Sequence, residues 1–505
     1  MNNNTVLSSV AAPARHGRGG ALLYLGTLVV ALGLTACANM SGIAPHAQMR
    51  DGVSLGLPSA ATGTPDLFAD VAVPAEWWRG FGDAQLDGLV DKALVNSPSL
   101  KQAEARLARA QAVTDSARAA EGPRLDGGLD ATRQHFSANG IYPAPLGGGT
   151  YNMATARATG SWELDFFGRN RAALEAALGS ANAAKADEQA ARLLLASNVA
   201  RNYLQLSRLQ AQLAVAERTL EQRKETLQLV RDRVSAGLDT QLEQRQSEGG
   251  LPEARQQMES LHEQIALTRN AIGALIGQPQ AAQSLIAPAL DSVQGVAVPA
   301  VIPADLLGRR PDIAAARWRV EAALKDVDVA KTEFYPDVNL TAFVGLNSLG
   351  FDDFLKGGSR EWSVGPAIRL PIFDSGRLRA NLRGKTADLD AAVESYNASL
   401  IDAVHDVADQ VASSRSIGLQ QTEQRQAQTA AEGAYAIAVQ RYKAGLGNYL
   451  NVLTAESNVL AQRRQAVDLA ARRLDNQVAL MRALGGGYVA GDLPPVASVS
   501  AAAHP

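Results

Sequence analysis

The sequence RVSAGL at residues 233–238 recurs as RYKAGL at residues 441–446, and the two copies lie 208 residues apart. The same offset, or one of 213 residues, relates other pairs along the chain: Gly168 and Gly376, Pro98 and Pro311, Pro123 and Pro336. An offset that stays nearly constant over about 150 residues indicates a structural unit that the chain contains twice.

Each copy predicts a helix, a β-hairpin, a very long helix, a turn and a second long helix. Pro98 and Pro311 suit first helical turns, whereas Pro123 and Pro336 require those helices to end before them. Residues 168–236 lack proline and carry a seven-residue repeat formed by Leu206, Leu213, Leu220, Leu227 and Val234. This repeat predicts supercoiled packing against neighbouring helices, in a rod of about 100 Å. Residues 375–444 form its counterpart.

Four segments alternate apolar and polar residues with the period of a β-strand. One face carries Trp162 and Trp362 among smaller apolar residues. The charged residues predicted on the opposite face are Asp126, Asp130, Arg157, Glu163, Asp165 and Arg369. Such strands fit the sheet of a soluble sandwich, and at about 10 residues they are also long enough to cross a bilayer at a tilt.

A membrane location has a consequence for these four strands. Lipid does not tolerate open sheet edges, and closing a barrel takes around eight strands. The barrel must then be shared among chains. Two chains supply eight strands and a filled interior, whereas three supply twelve and leave room for a lumen.

Composition excludes several classes of function. The 505 residues carry a net charge of −3, which makes nucleic acid a poor candidate partner. The single Cys excludes a disulfide framework, and the six His show no metal-ligand spacing. GVSLG at residues 52–56 matches the G-x-S-x-G spacing of a nucleophile elbow, but it lies in a Ser-, Gly- and Pro-rich segment and not between a strand and a helix pattern, and no P-loop or dinucleotide-binding motif occurs. We therefore expect no enzymatic activity, no cofactor and no metal.

The N-terminus has the features of an export signal. Arg15 and Arg18 precede an uncharged, mostly apolar run at residues 21–36, a length typical of a signal peptide and short for a membrane span. The run ends in LTAC at residues 34–37, which resembles the lipobox of bacterial lipoproteins. That resemblance implies cleavage before Cys37, acylation of Cys37 and an outer-membrane destination. The alternative is a buried Cys after an ordinary signal peptide.

Several motifs together resemble one family. They are the lipobox, WWRGFGDAQL at residues 77–86, RRPDI at 309–313, FYP at 334–336 and the two Ala-Gly-Leu turns. In this order they resemble the TolC-like outer-membrane factors of tripartite efflux and secretion systems, specifically the OprM/NodT-type lipoproteins. The resemblance implies a mainly α fold with membrane β-strands, assembled as a homotrimer. Its 12-stranded outer-membrane β-barrel, with four strands per chain, continues into a 12-helix periplasmic α-barrel.

The resemblance also implies partners and an organisation along the chain. An inner-membrane pump supplies the energy, and a periplasmic adaptor (membrane fusion protein) docks on the helical tips. The expected segments are a signal peptide at 1–36, a lipid-anchored tether at 37–74, a first repeat at 75–276, an equatorial linker at 277–302, a second repeat at 303–485 and a flexible tail at 486–505. Within the repeats, β-hairpins are expected at 124–166 and 337–373, and helical hairpins at 168–275 and 375–484.

The turns of the helical hairpins are the candidate docking surface. The residues concerned are Ala236, Gly237, Leu238, Ala444, Gly445 and Leu446. A glycine just past a helix end is also an ordinary helix terminator, and both roles can hold together.

A periplasmic gate is expected beside these turns. By position in the motif, the resemblance assigns it to Tyr442, Glu243 and Arg441, although Glu243 equally fits a solvated helix face. Gly447, Asn451 and Thr454 stand where some relatives carry gating charges. A closed state here should therefore depend less on ion pairs.

The function predicted from the sequence is a passive exit duct of a tripartite efflux pump of the RND type, for drugs or other small molecules. It would lie in the outer membrane, anchored at Cys37, with a long periplasmic extension. The alternatives are a type I protein-secretion duct and, in a different class, a periplasmic adaptor lipoprotein. An adaptor would have one helical hairpin, whereas this chain has two.

Overall fold

The computed structural model describes residues 40–51, 73–295 and 309–489. The predicted signal peptide, with Cys37, lies outside these residues, as do residues 52–72, 296–308 and 490–505. In the described part of the chain, no helix is both long enough and apolar enough to cross a membrane.

Helices account for most of the described residues. They are α1 (Ala84–Asn96), α2 (Pro98–Ala119), α3 (Arg169–Ser235), α4 (Gln241–Leu275), α5 (Pro311–Thr332), α6 (Arg377–Lys443) and α7 (Tyr449–Ala483). Helices α2 and α5 both have 22 residues, α3 and α6 both have 67, and α4 and α7 both have 35. The two copies in the sequence are thus two copies in the structure, and α2 and α5 begin at Pro98 and Pro311.

The strands form one antiparallel sheet. They are β1 (Arg124–His135), β2 (Thr150–Glu163), β3 (Asp337–Leu349) and β4 (Arg360–Arg369). Their spatial order is β1-β2-β3-β4, so the pair β2–β3 joins the two copies. Strands β1 and β4 each have a single neighbour and are the edges of the sheet.

Two strands end earlier than the sequence pattern predicts. The alternation continues to Phe166 and Ile372, but β2 ends at Glu163 and β4 ends at Arg369. Pro371 has no N–H with which to extend the ladder of β4. The predicted strand position of Asp165 is wrong, because its carboxylate instead accepts a hydrogen bond from the Arg171 backbone N–H at 3.0 Å, in the first turn of α3.

The chain divides into two compact units. The described residues of the first unit are 40–45, 117–174 and 324–388, which include the sheet. Those of the second unit are 46–51, 73–116, 175–295, 309–323 and 389–489, which include most of the helical residues.

The tryptophan motif forms part of the core of the second unit. Trp77, Trp78 and Phe81 are almost fully buried, and their rings meet edge to face at centroid distances of 5.8 and 6.3 Å. Asp83 then caps the N-terminus of α1 and accepts a hydrogen bond from the Tyr203 hydroxyl of α3 at 2.8 Å. This motif therefore fixes α1 against α3.

The RRPDI motif is also structural. Arg310 is buried and binds the Asp312 carboxylate at 2.7 Å and the Asp406 carboxylate at 3.4 Å. It also donates to the backbone carbonyl of Ala483 at 3.3 Å, close to the C-terminal end of α7. A buried guanidinium with this set of acceptors connects α5, α6 and α7.

Candidate functional site

The two predicted tip turns have the same geometry. Gly237 and Gly445 adopt φ values of 73° and 74°, which side chains other than glycine rarely adopt. In the first turn, the N–H of Leu238 donates to the carbonyl of Arg233 at 2.9 Å, and in the second, the N–H of Leu446 donates to Arg441 at 2.8 Å. Both turns are therefore Schellman motifs that end a 67-residue helix.

Four leucines near the tips are largely exposed. Leu238 and Leu446 follow the glycines and are 63% and 68% exposed, and Leu242 and Leu450 are 62% and 63% exposed. In Schellman motifs the residue after the glycine frequently packs against the helix that it follows. Here both copies leave this leucine accessible, which gives each tip a small apolar surface.

A charged cluster joins the two tips. The Arg233 guanidinium lies 2.8 Å from the Asp239 carboxylate and donates to the Tyr442 backbone carbonyl at 3.0 Å. The Tyr442 hydroxyl donates to the same carboxylate, and its ring lies 4.6 Å from the guanidinium carbon. Residues more than 200 positions apart are thus held together at the ends of α3 and α6.

The surroundings of Tyr442 explain its protonation. The side chain is buried in a cluster with Val230, Val452 and Tyr449, whose ring centroid lies 5.9 Å away. Burial, followed by the hydrogen bond to Asp239, raises the pKa of Tyr442 well above its usual value. Burial alone would raise the pKa of Asp239, but hydrogen bonds from Arg233 and Tyr442 hold it below its usual value. The hydroxyl is therefore a donor and the carboxylate an acceptor at neutral pH.

The other two predicted gate residues lie in different surroundings. Glu243 completes a capping box with Thr240, and this contact lowers the pKa of Glu243. Arg441 is exposed and donates to the carbonyl of Leu446 at 3.2 Å. Within one chain, the charged cluster contains Tyr442 but neither Glu243 nor Arg441.

A second polar network links the hairpin helices. Arg463 of α7 forms two hydrogen bonds of 2.6 Å with Glu432 of α6, and it donates to Gln222 of α3 at 2.7 Å. Arg223 of α3 lies 2.5 Å from the buried Glu456 of α7. Charges buried between helices favour one arrangement of those helices, because any other would leave them unpaired.

The strand register places the predicted charged residues of the sheet on one face. Asp126, Asp130, Arg157, Glu163 and Arg369 share this face, as the pairs Asp126–Thr159, Asp130–Thr155, Glu163–Asn339 and Asp337–Arg369 show. Arg157 binds Glu361 at 2.5 Å and lies 4.2 Å above the Phe343 ring. Trp162 and Trp362, both exposed, lie on the opposite face.

Sequence reasoning missed Asp239 and the buried pairs. A signal for Asp239 was present, because the residue 208 positions later is Gly447, so the two tips differ at this point. Glu432 lies 31 residues before Arg463 on the other helix of the same hairpin, and Arg223 lies 233 residues before Glu456. No local pattern identifies either pair. Among the described residues, no group of His, Cys, Asp and Glu is arranged to hold a metal ion.

This combination of paired long helical hairpins with a small antiparallel sheet defines the class of TolC-like outer membrane channels. The structure of the outer membrane protein VceC from Vibrio cholerae matches with a TM-score of 0.78 and 37% identity, over 82% of this chain and 99% of that one. The outer-membrane channel OprN matches with a TM-score of 0.78 and 28% identity, over 88% and 97%. The predicted fold class is thereby confirmed.

The chain belongs to the outer membrane efflux protein family, whose model matches residues 89–278 and 302–486. It is 39% identical over 385 residues to the fusaric acid resistance protein FusA of Burkholderia cepacia, covering 74% of this chain and 71% of that protein. It is 33% identical over 460 residues to the multidrug resistance outer membrane protein MdtP of Escherichia coli, covering 89% and 92%. The family resemblance inferred from the motifs is confirmed.

Proposed function

We propose that three copies of this chain form the exit duct of a tripartite efflux pump in the outer membrane. The observation that carries this proposal is the amphipathic four-stranded sheet with two open edges. Such edges are not tolerated in lipid, whereas three copies supply the twelve strands of a barrel with a lumen. The duct is passive and not an enzyme, and its charged strand face lines the lumen.

Reconstitution tests this proposal. Purified protein in detergent is expected to have the mass of three chains and to form conducting channels in a planar bilayer. A protein that is monomeric and watertight while fully native would contradict it. The same measurement separates the duct from a periplasmic adaptor lipoprotein, which forms no channel.

The partners are a periplasmic adaptor and an inner-membrane pump of the RND type. The exposed leucines of the tips support the first, because apolar side chains left accessible in both copies are suited to burial by another protein. Relatives named for resistance to drugs or to fusaric acid favour small molecules over polypeptides as cargo. A type I protein-secretion duct is therefore the second choice.

We further propose that Cys37 is acylated and anchors the chain to the membrane. The residues that follow it support this, since Arg379 in the first turn of α6 donates to the carbonyl of Ser41 at 3.1 Å. The backbone N–H groups of His46 and Ala47 both donate to Asp390 of α6 at 2.9 Å. Ser41, His46 and Ala47 thus all contact α6.

Labelling tests the anchor. The protein from cells fed an alkyne-tagged palmitate analogue is expected to carry the label, and Cys37→Ala is expected to lose all of it. A Ser41→Ala variant is the matched control and should label like the wild type. Label that persists in Cys37→Ala would contradict the proposal.

Tyr442, Glu243 and Arg441 are proposed to narrow the periplasmic tip. The burial of Tyr442 supports an indirect role, in which its hydroxyl holds the end of α6 to Asp239 beside the α3–α4 turn. Glu243 and Arg441, which lie at the surface, would then contact neighbouring copies.

Conductance tests the gate. Tyr442→Phe keeps the ring but loses the hydrogen bond to Asp239, so the single-channel conductance is expected to rise severalfold. Glu243→Ala and Arg441→Ala should raise it less. Conductance in Tyr442→Phe and Tyr442→Ala that equals the wild-type value would contradict the proposed gate.

A further inference from the structure

The two open edges of the sheet determine how neighbouring copies meet. This inference rests on the proposed function, in which β4 of each copy pairs with β1 of the next. Within one chain, the residues directly opposite one another fix a line across the sheet. From Asp126 this line passes through Thr159 and Phe343 to Ser363.

When three sheets close into a barrel, the line that leaves β4 of one copy meets β1 of the next copy at a different residue from the one where that copy's own line begins. The difference, counted in residues along β1, is the displacement, and it is the same at all three seams. Directly opposite residues point to the same face, so the displacement must be even. Strands rise about 3.3 Å per residue and lie about 4.8 Å apart, so displacements of four, six and eight residues correspond to tilts of about 35°, 45° and 55°. Closed membrane barrels have tilts of about 35–45°, which leaves four or six.

The strand ends agree with this choice. A displacement of six places residues 360–369 opposite residues 126–135, and a displacement of four places them opposite residues 124–133. Both lie within β1, whereas a displacement of eight would carry Arg360 beyond the end of β1 at His135.

The charges of the residues that face one another across the seam decide between displacements of four and six residues. A displacement of four sets Arg369 opposite Arg124 of the partner subunit and Arg360 opposite Arg133 of the partner subunit, which are two like-charge pairs. A displacement of six sets Arg369 opposite Asp126 of the partner subunit. It also sets Trp362 opposite Arg133 of the partner subunit, in reach of a cation–π contact.

We propose that the seam between copies has this second register and is fixed by Arg369 and Asp126 of the partner subunit. Arg369 forms no ion pair with any described residue of its own chain, although it ends an edge strand. Asp126 lies on the other edge strand, 2.9 Å from Arg124, with 56% of its side chain exposed. In this register the Asp126 carboxylate lies between the guanidinium groups of Arg124 in its own copy and Arg369 of the neighbouring copy. Arg369 thereby gains an ion pair that it lacks within its own chain.

Disulfide trapping in the full-length trimer tests the register. Ala367 and Gly128 of the partner subunit are directly opposite in the proposed register, where Cα atoms lie about 4.5–5.5 Å apart, within disulfide range. The variant Ala367→Cys with Gly128→Cys is expected to convert most of the protein to a covalent trimer upon oxidation. The matched variant Gly365→Cys with Gly128→Cys retains Arg369 and Asp126 but is two residues out of register, about 6.6 Å along the strand, and should give less than about a tenth of that yield.

The outcomes separate the seam from the proposed function. If the second variant cross-links more than the first, the proposed register is wrong. The register is also wrong if neither variant cross-links in a protein that has the mass of three chains. No cross-linking in a protein that is monomeric would overturn both the seam and the trimer.

Charge exchange provides a second, independent test. Arg369→Glu and Asp126→Arg are each expected to lower the fraction of trimer that survives SDS at a fixed temperature, and the double variant to recover it. A double variant no better than the worse single variant would contradict the ion pair.

Discussion

Replacing Leu238 and Leu446 together with aspartate is expected to lower drug resistance to the level of a strain that lacks the gene. Both side chains are more than 60% exposed, so the fold should not change. Burying one leucine in an interface contributes about 1.5–3 kcal/mol, and a desolvated carboxylate in its place adds a cost. With two tips in each chain, docking of the adaptor should fail. The measurement is the minimal inhibitory concentration of pump substrates after complementation.

Two controls make this result specific. Leu238→Met with Leu446→Met conserves apolar volume and should retain resistance. The aspartate variant should reach the outer membrane in normal amount and conduct normally in a planar bilayer, because the purified channel needs no adaptor. Full resistance in the aspartate variant would show that the adaptor does not dock on the tips.

Replacing Glu432 with glutamine is expected to destabilise the helical hairpins by about 3 kcal/mol, at the lower end for a broken buried ion pair. The Arg463 side chain is only 4% exposed and would keep Gln222 as its hydrogen-bond partner. A buried guanidinium would then lack a carboxylate. The measurement is the denaturant midpoint of the detergent-solubilised protein, followed by helical circular dichroism.

Matched variants separate this pair from surface charge. Glu221→Gln removes an exposed partner of Lys224 and should change stability by less than about 1 kcal/mol. Glu432→Gln with Arg463→Met removes both charges and should recover most of the loss. A double variant as unstable as Glu432→Gln would show that the uncompensated charge is not the cause.

The same pair predicts a dependence on pH. The hydrogen bonds from Arg463 lower the pKa of Glu432 in the folded protein. The pair therefore stabilises the fold above the usual pKa of glutamate, about 4.3, and this contribution disappears as the pH falls through the lowered value. Acidification should consequently destabilise the wild type more than Glu432→Gln.

The fold was largely predictable because its signals are local or repeated. Pro98 and Pro311 mark helix starts, and the 208-residue offset transfers each assignment from one copy to the other. The alternation of apolar and polar residues located all four strands. It failed at their ends, because Asp165 caps a helix and Pro371 stops the ladder of β4.

The site was less predictable because its contacts join distant segments. The sequence identified the glycine turns and Tyr442, but the carboxylate that Tyr442 binds lies 203 residues away. Likewise, the partner of Arg463 lies on another helix, and a seven-residue repeat reports which face of a helix is apolar, not which charges meet across it.

The difference between Asp239 and Gly447 breaks the internal symmetry of the chain at its tips. Three copies would present six hairpin ends in alternation, one kind with a carboxylate two residues after the glycine and the other without it. An adaptor that docks on every hairpin end would meet two chemically different kinds of seat, three of each. The three seats of the tighter kind should fill first, so partial complexes should hold three adaptor subunits per channel.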